Sequence, residues 1–282
     1  MDKKDRYISH IQDFYQCTMP LANIDFHFEG LCNDIAIVDE TDVFRFPKEK
    51  WAVPLMEKEI DVLSVLRRNH VPHVMECRTK QENFAVFNYI GGKDLTHMLL
   101  NRLTKETVAD IAKELGVVLY QMHSITDVNH QNGAAQSVDH FAALYHKVLE
   151  QQASLTSTAL DYTESVFQPL LSGELSLDYL PVLIHGDLAP YHIKVDEKAG
   201  HLSGLIDFGE AGLGDPATDI ACLIYNLGMG FVELMQQTYP MDEQLVQRAK
   251  FYAKAIEFQW FVAAVKTNNP IWYAAHLGSY RG

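Results

Sequence analysis

The sequence has few cysteines and no long apolar run. Four cysteines are spread over 282 residues, and none belongs to a CxxC or similar close pair. This spacing predicts neither a zinc site nor a redox pair, and it is typical of reduced thiols. No uninterrupted apolar stretch approaches the ~20 residues of a membrane-spanning helix. The charged N-terminus, residues 1–6, leads into no apolar signal region. We therefore expect a cytoplasmic protein without a membrane partner.

Basic residues are also scarce relative to acidic ones. The chain has 23 Lys and Arg against 37 Asp and Glu, a formal net charge of −14. Proteins that bind nucleic acid or anionic lipid owe much of their affinity to basic residues, so we expect neither partner. An excess of acid is compatible with a cationic ligand. Hydrophobic residues make up 48% of the chain, which excludes a disordered protein.

Hydrophobic periodicity predicts an α+β protein with two unlike parts. The first ~25 residues and residues 54–67 have helical spacing. Strands are predicted within 26–38 and over 42–47, 71–75, 83–89 and 182–184. After Gly91 and Gly92, further helices are predicted over 95–103, 105–124, 138–153, 156–171, 218–233 and 242–264. We therefore expect the chain to divide into a β-rich N-lobe, residues 1–91, and a mainly helical C-lobe, residues 92–282.

Two aspartates follow two apolar strand runs. Asp187 follows Ile184-His185-Gly186, and Asp207 follows Gly204-Leu205-Ile206, 20 positions later. A hairpin with its turn at residues 197–200 separates them, so the two carboxylates can meet at one end of it. Phosphoryl transfer needs such a pair, because one carboxylate orients the attacking hydroxyl and another holds Mg²⁺ on the phosphates. Aspartate alone is common in turns, but His-Gly-Asp followed by Ile-Asp-Phe-Gly is a specific combination.

These segments, together with Gly-Asp-Pro-Ala-Thr-Asp at residues 214–219, resemble the aminoglycoside phosphotransferase family of the protein-kinase-like fold. The resemblance extends from about residue 25 to the end of the chain. It implies a two-lobe fold that uses ATP or GTP with Mg²⁺. It also implies that Asp187 is the catalytic aspartate and Asp207 the chief Mg²⁺ ligand. Asp219 resembles an aspartate that supports the catalytic loop.

One position departs from the general pattern of the family. His192 stands five residues after Asp187, where the pattern has Asn as a second metal ligand. In this respect the chain resembles phosphotransferases that act on the 2″-hydroxyl of aminoglycosides, and macrolide phosphotransferases. Because Mg²⁺ prefers oxygen ligands, three roles are open for His192: a metal ligand, a hydrogen-bond donor to phosphate, or a structural histidine.

The N-lobe would supply a cation for the nucleotide phosphates and a helix carboxylate to brace it. Residues 43–48 resemble the strand of the family that bears this cation, and strand alternation places the cation at Arg45, with Lys48 as the rival. Residues 56–60 resemble the bracing helix, with Glu59 as the partner. The alternative for Glu59 is an exposed charge on a solvated helix face.

The remaining nucleotide contacts follow from the resemblance alone. Gly30 lies in the segment that would cover the nucleotide, and this segment has one glycine where three are usual. Asn88 and Ile90 fall at the hinge, where backbone groups would bind the nucleobase.

The predicted acceptor is a polycationic aminoglycoside held by carboxylates. The candidates for its site are Asp139, Asp161, Glu164, Glu233, Glu257 and Trp260. The first alternative is a macrolide phosphotransferase with an aromatic pocket built from Phe251, Tyr252, Trp260, Trp272 and Tyr273. The second alternative, a non-catalytic kinase-like binding protein, has no use for the two aspartates of a metal site.

Overall fold

The computed structural model describes residues 2–16, 23–132 and 136–269. The α-helices of this part are α1 (Lys3–Tyr15), α2 (Val53–Arg68), α3 (His97–Leu100), α4 (Lys105–Met122), α5 (Val138–Leu149), α6 (Ser157–Leu171), α7 (Ala217–Leu227), α8 (Met229–Met235) and α9 (Glu243–Thr267). The strands are β1 (Ile24–His27), β2 (Asn33–Val38), β3 (Asp42–Pro47), β4 (Cys77–Lys80), β5 (Ala85–Asn88), β6 (Lys93–Asp94), β7 (Val182–Ile184), β8 (Ile193–Asp196), β9 (His201–Leu205) and β10 (Gly212–Gly214).

The N-terminal strands form one antiparallel sheet in the order β1-β2-β3-β5-β4. Strand β3 lies at its centre, and its side chains alternate between the two faces. Phe44 and Phe46 pack with Tyr7 of α1 on one face. Arg45 points to the opposite face, where it meets Glu59 of α2. The alternation of β3 therefore directs its one cationic side chain away from the aromatic cluster.

Helix α1 is fixed to the back of the sheet by buried polar contacts as well as by apolar packing. The Tyr7 hydroxyl donates to Asp34 at 2.7 Å, and the Tyr15 hydroxyl donates to Asp42 at 2.5 Å. Both carboxylates are buried. A buried carboxylate without a partner is costly, so these two tyrosines set where α1 docks.

The larger, C-terminal part is mainly helical and carries two small sheets, β10-β7 and β6-β8-β9. Helix α7 packs along α9, and α4 packs on α8. Strands β7 and β9 end shortly before the two aspartates singled out in the sequence, Asp187 and Asp207. The predicted α+β architecture, an antiparallel sheet followed by a helical region, is confirmed. No helix in the described ranges combines the length and apolar character needed to cross a membrane.

The structure corrects three predicted elements. The predicted strand 71–75 is irregular, because Pro72 has no N–H to donate and His73 has a φ of 54°; β4 occupies the sheet edge instead. The predicted helix 218–233 is two helices that break at Gly228, whose φ is 84°. The predicted helix 95–103 shortens to α3, which Thr96 caps at Leu99 N–H.

Candidate active site

The loop that follows β7 is held by one buried carboxylate. Asp219, in the first turn of α7, accepts hydrogen bonds from the backbone N–H groups of His185 at 2.8 Å and Gly186 at 2.9 Å. His123, which follows the last residue of α4, contacts the same carboxylate through Nε2 at 3.1 Å. Burial alone would raise the pKa of Asp219, but the bond to His123 and its other partners lower it. The charged carboxylate thus fixes the two residues that precede Asp187.

Glycine is required at position 186. Its φ is 79°, which L side chains rarely adopt. A Cβ there would lie 2.2 Å from Asn132 Nδ2 and 2.8 Å from the carbonyl oxygen of Glu210. Asn132 Nδ2 itself donates to that carbonyl at 2.7 Å. The close approach brings the loop before Asp187 against the segment that follows Asp207.

His185 is buried and connects the two strand ends. Its Nε2 faces the carbonyl oxygen of Ile206 at 3.1 Å, and the N–H of Asp187 faces its Nδ1 at 3.3 Å. A carbonyl can only accept, so this network assigns the proton to Nε2. Burial lowers the pKa of His185, which agrees with a neutral ring. His185 therefore ties the backbone before Asp207 to the backbone of Asp187.

His192 brings the two predicted carboxylates together. Its Nδ1 donates to the backbone oxygen of Asp187 at 2.8 Å and lies 3.7 Å from Asp187 Oδ2. Its Nε2 lies 3.4 Å from Asp207 Oδ2. The carboxylates are 46% and 52% exposed, so both remain open to a ligand. The hydrogen bond from His192 is the main reason that the pKa of Asp207 lies well below its ordinary value.

Asp207 has an unusual backbone conformation for a residue other than glycine. Its φ is 66°, a value that aspartate tolerates better than most side chains. The residue after it, Phe208, is fully buried, whereas the Asp207 side chain is half exposed. The turn thus packs Phe208 in the core and leaves the Asp207 carboxylate accessible to a ligand. Backbone strain of this kind is often found at functional sites.

Arg45 and Glu59 form a buried ion pair beside this turn. Arg45 Nη1 lies 2.6 Å from Glu59 Oε2, and Glu59 Oε1 accepts from the N–H of Phe208 at 3.1 Å. The guanidinium also stacks over the Phe87 ring at 4.8 Å. Burial would lower the pKa of Arg45, but Glu59 and Asp207 raise it. Helix α2 is therefore connected to both β3 and the Asp207 turn through Glu59.

Lys48, the rival cation, is engaged elsewhere. Its Nζ donates to the carbonyl oxygen of Phe28 at 2.6 Å, so the pairing with Glu59 falls to Arg45. Gly30 lies exposed in the same segment, and a Cβ there would be 2.7 Å from the carbonyl oxygen of Asn33.

The two hinge residues differ in their surroundings. The Asn88 side chain accepts from the N–H of Glu76 at 2.5 Å and so joins β5 to the start of β4. Ile90 is partly buried, and an added Cβ on Gly204 would meet its Cδ1 at 2.9 Å. The roles of both residues in nucleobase binding stay predictions.

Most of the chain matches a known family of enzymes. The sequence profile of the APH phosphotransferase enzyme family matches residues 32–252. The chain belongs to the phosphotransferase enzyme family. Its reaction class is therefore phosphoryl transfer. Among curated protein sequences, none matches the chain significantly.

Solved structures share the fold of this phosphotransferase over nearly its whole length. A GDP complex of a variant aminoglycoside 2′-phosphotransferase IIIa is 21% identical, with a TM-score of 0.80 and coverage of 98% of this chain and 95% of that one. The gentamicin complex of APH(2″)-IIa is 18% identical, with a TM-score of 0.70 and coverage of 99% and 96%. A macrolide 2′-phosphotransferase from Brachybacterium faecium is 17% identical, with a TM-score of 0.69 and coverage of 98% of each chain. These likenesses confirm the predicted kinase-like fold.

A pocket of about 550 Å³ opens beside Asp187 in the phosphotransferase. Its wall is largely aromatic and apolar, with contributions from Phe141, Ala189, Tyr191, Ala221, Cys222, Tyr225, Tyr252, Ile256 and Trp260. Polar groups on the wall come from Gln136, His140, Thr218, Asn226 and Gln259. Among the described residues, Asp187 is the one carboxylate on this wall.

Most of the predicted acceptor residues do not line the pocket. Trp260 is on its wall, but the predicted carboxylates are not: Asp139, Asp161, Glu164, Glu233 and Glu257. Burial raises the pKa of Glu257, which the Tyr162 side chain contacts. Of the predicted aromatic residues, Tyr252 lines the pocket and Phe251 packs in the core. Trp272 and Tyr273 lie outside the described residues.

Sequence reasoning missed a buried cluster behind the pocket. Arg248 Nε and the Tyr252 hydroxyl donate to Asp215 Oδ2 at 2.8 and 2.9 Å, and the N–H of Ala217 donates to Oδ1 at 2.9 Å. Asp215 thus fixes the start of α7 and connects it to α9. A signal was available, because Arg248 and Tyr252 have the i, i+4 spacing of one helix face.

Proposed function

We propose that the protein moves the γ-phosphate of ATP or GTP, with Mg²⁺, to a hydroxyl of a small molecule bound in the pocket beside Asp187. The observation that carries the proposal is that His192 lies between Asp207 and Asp187, and that Asp187 lines this pocket. Asp187 orients the acceptor hydroxyl and receives its proton, and Asp207 binds the metal on the phosphates. The cytoplasm is the proposed setting, which the widely spaced cysteines support.

The donor groups fit Mg²⁺ bound together with a nucleotide. No set of three or more His, Cys, Asp or Glu side chains in the described ranges forms a metal cage by itself. Mg²⁺ in kinases needs none, because one or two carboxylates, substrate phosphates and water complete its octahedron. Asp207 offers an ionised, half-exposed carboxylate. His192 Nε2 faces the Asp207 carboxylate as a hydrogen-bond donor, so His192 would have to release that proton before it could bind the metal itself.

Arg45, on β3 of the N-terminal sheet, is suited to bind a nucleotide phosphate. Its Nε is buried and has no hydrogen-bond partner among the described residues. A buried donor left unsatisfied costs about 1–3 kcal/mol, and a bound phosphate oxygen would satisfy it. Nη1 is meanwhile held by Glu59 at 2.6 Å, so the guanidinium is already oriented before the nucleotide arrives.

The first candidate acceptor is an aminoglycoside. Two observations support it: the net charge of −14, and the likeness to structures of aminoglycoside phosphotransferases, one of them bound to gentamicin. A polycation would be drawn to the acidic protein by its overall field. It would then have to be held at the pocket rim, since the wall offers a single carboxylate.

The second candidate is a macrolide or another mainly apolar acceptor, and the pocket wall favours it. Three tyrosines, a phenylalanine and a tryptophan contribute to the wall. Such a wall binds a large apolar body and leaves a few polar groups to orient it. The residues outside the described ranges contain no Asp or Glu, so they cannot supply the missing carboxylates.

Acceptor kinetics at several ionic strengths distinguish the candidates. We would measure turnover of ATP and GTP with one aminoglycoside, one macrolide and no acceptor, and then the acceptor KM from low to high salt. Ion pairs weaken as salt screens them, so the KM of a polycation should rise steeply. The KM of a macrolide should stay nearly flat or fall, because salts that are excluded from apolar surfaces strengthen burial.

Two results of this experiment would count against the proposed function. Absence of stimulation by either class would remove both candidate acceptors and leave the phosphotransferase without an assigned substrate. Stimulation that survives chelation of Mg²⁺ would contradict the role of Asp207.

A further inference from the structure

The loop that joins β1 to β2 has fewer glycines than most loops that bind nucleotide phosphates. This covering loop, residues 28–32, contains one glycine, Gly30. Loops that cradle phosphates commonly use several glycines, which let the backbone turn tightly and approach the ligand. The covering loop also carries Leu31, whose side chain is 88% exposed and so does not anchor it. Its shape must come from contacts made by its neighbours.

Lys48, which follows β3, makes contacts with both ends of the covering loop. Its backbone N–H donates to the carbonyl oxygen of Cys32 at 2.9 Å. Its Nζ donates to the carbonyl oxygen of Phe28 at 2.6 Å. One residue thus joins the first and last residues of the loop. Only 25% of the Lys48 side chain is exposed, so it lies mostly within this arrangement.

A buried carboxylate holds the Lys48 ammonium from the side of the sheet. Asp34 Oδ1 lies 3.5 Å from Lys48 Nζ, and the Asp34 side chain is 1% exposed. Its other oxygen accepts from the Tyr7 hydroxyl at 2.7 Å and pairs with Lys3, both on α1. Burial would raise the pKa of Asp34, but these partners lower it. The carboxylate therefore stays charged and attracts the ammonium toward the loop.

We infer that Lys48 is a positioning residue that shapes the covering loop for nucleotide binding by joining its two ends. The inference rests on the proposed function for the identity of the ligand. The loop contact itself is independent of it. Because Nζ is committed to Phe28 and Asp34, direct contact with the phosphates falls to Arg45.

The test compares Lys48→Met with wild type and with Lys50→Met, a change at an exposed lysine two positions further on. The first measurement is the ¹⁵N order parameter of the Gly30 amide in nucleotide-free protein. A rigid backbone gives about 0.85 and a flexible one less than about 0.6, and we expect Lys48→Met to move Gly30 from the first range to the second. The second measurement is the Kd for Mg·ATP and Mg·GTP. We expect it to rise about tenfold, because binding must then order a loop that one charge-assisted hydrogen bond ordered before.

Lys48→Arg serves as the rescue variant, because a guanidinium can still donate to the Phe28 carbonyl. It should restore both measurements, and Lys50→Met should change neither. A raised Kd with an unchanged Gly30 order parameter would mean that Lys48 contacts the phosphates directly, and it would overturn the inference. Unchanged values of both would do the same. If wild type binds neither nucleotide, the proposed function fails, and the order parameter still decides whether Lys48 shapes the loop.

Discussion

At the scale of single residues, the site is organised around the two nitrogens of His192. One nitrogen donates to the backbone of Asp187, and the other faces Asp207 at 3.4 Å. Burial would lower the pKa of His192, but its bonds to Asp207 and Asp187 raise it. A ring held at both ends cannot rotate freely, so the backbone of Asp187 is held at a set position relative to the Asp207 carboxylate before any ligand binds. This rigidity is what positioning contributes to catalysis.

Replacing Asp187 tests the acceptor side of this arrangement. Asp187→Ala should reduce kcat by a factor of ~10² or more, the scale of general-base and positioning effects. The Kd of the nucleotide should change little, because Asp207, and not Asp187, is the proposed ligand of the metal on the phosphates. Steady-state kinetics and nucleotide titration measure the two effects, and Glu174→Ala, an exposed acid on another surface, is the control. Turnover close to wild type would end the assignment of Asp187.

The Arg45–Glu59 pair tests the nucleotide side. Arg45→Ala should raise the KM of the nucleotide far more than that of the acceptor. Each single change also leaves a buried charge without its partner, which should cost about 3–5 kcal/mol of folding stability. A double-mutant cycle by urea unfolding should show a coupling of about 0.5–3 kcal/mol, typical of residues in contact. Additive effects would show that the pair does not act as a unit.

At the scale of elements, two short strands, β7 and β9, matter more than the long helices, because each ends just before residues of the site. β7 ends before His185, and β9 ends before Ile206 and Asp207. Helix α7 contributes Asp219 from its first turn and fixes the loop between them. The helices thus hold the strand ends, and the strand ends present the side chains.

A pair of glycine variants tests the close approach at this loop. Gly186 and Gly173 both have φ near 80°, at 79° and 80°, but a Cβ on Gly173 meets nothing within 4 Å. Gly173→Ala should therefore show only the backbone cost of a positive φ, about 1 kcal/mol. Gly186→Ala adds the clash with Asn132 and Glu210, so it should be clearly less stable and lose most of its activity. Equal losses in unfolding free energy would show that the contact at Gly186 is unimportant.

Periodicity predicted the longer elements well and the shortest ones poorly. The strand predicted over residues 42–47 is confirmed, and the helix predicted over 105–124 is confirmed as α4, which begins after the N-cap Thr104 and ends two residues earlier. Three of the short strands, β4, β6 and β10, were not predicted, because stretches of two to four residues show no clear period of two. Gly228 could have indicated the break between α7 and α8, since glycine is common where a helix ends.

At the scale of the whole molecule, the predicted nucleotide site draws on both parts of the chain. Arg45 lies in the sheet, Glu59 on α2, and Phe208 after β9, and hydrogen bonds connect all three. The sequence could indicate that two aspartates meet, because a short hairpin joins them. It could not indicate which side chains line the pocket beside Asp187, because that depends on which faces of α5 and α9 point toward it after the helices pack.

Ligand binding should therefore stabilise the protein as a unit. With Mg²⁺ and ATP or GTP at 100 times its Kd, the free energy of unfolding should rise by about 2.7 kcal/mol. Thermal melts with and without a chelator measure the effect. Asp207→Asn should lose the part that depends on Mg²⁺, while Glu174→Ala should keep it. A shift of equal size in the presence of chelator would exclude a metal held by Asp207.

The contacts of Asp219 also have a consequence for the order in which the chain folds. His123 is 96 positions away from Asp219 and His185 is 34 positions away, so the loop before Asp187 has no local means of acquiring its shape. Closing such long segments is slow, because their chain entropy must be lost before the contacts form. The chain becomes competent only when α4 and α7 have docked. After dilution from denaturant, catalytic activity should return with the slowest refolding phase, well after most helical signal has recovered.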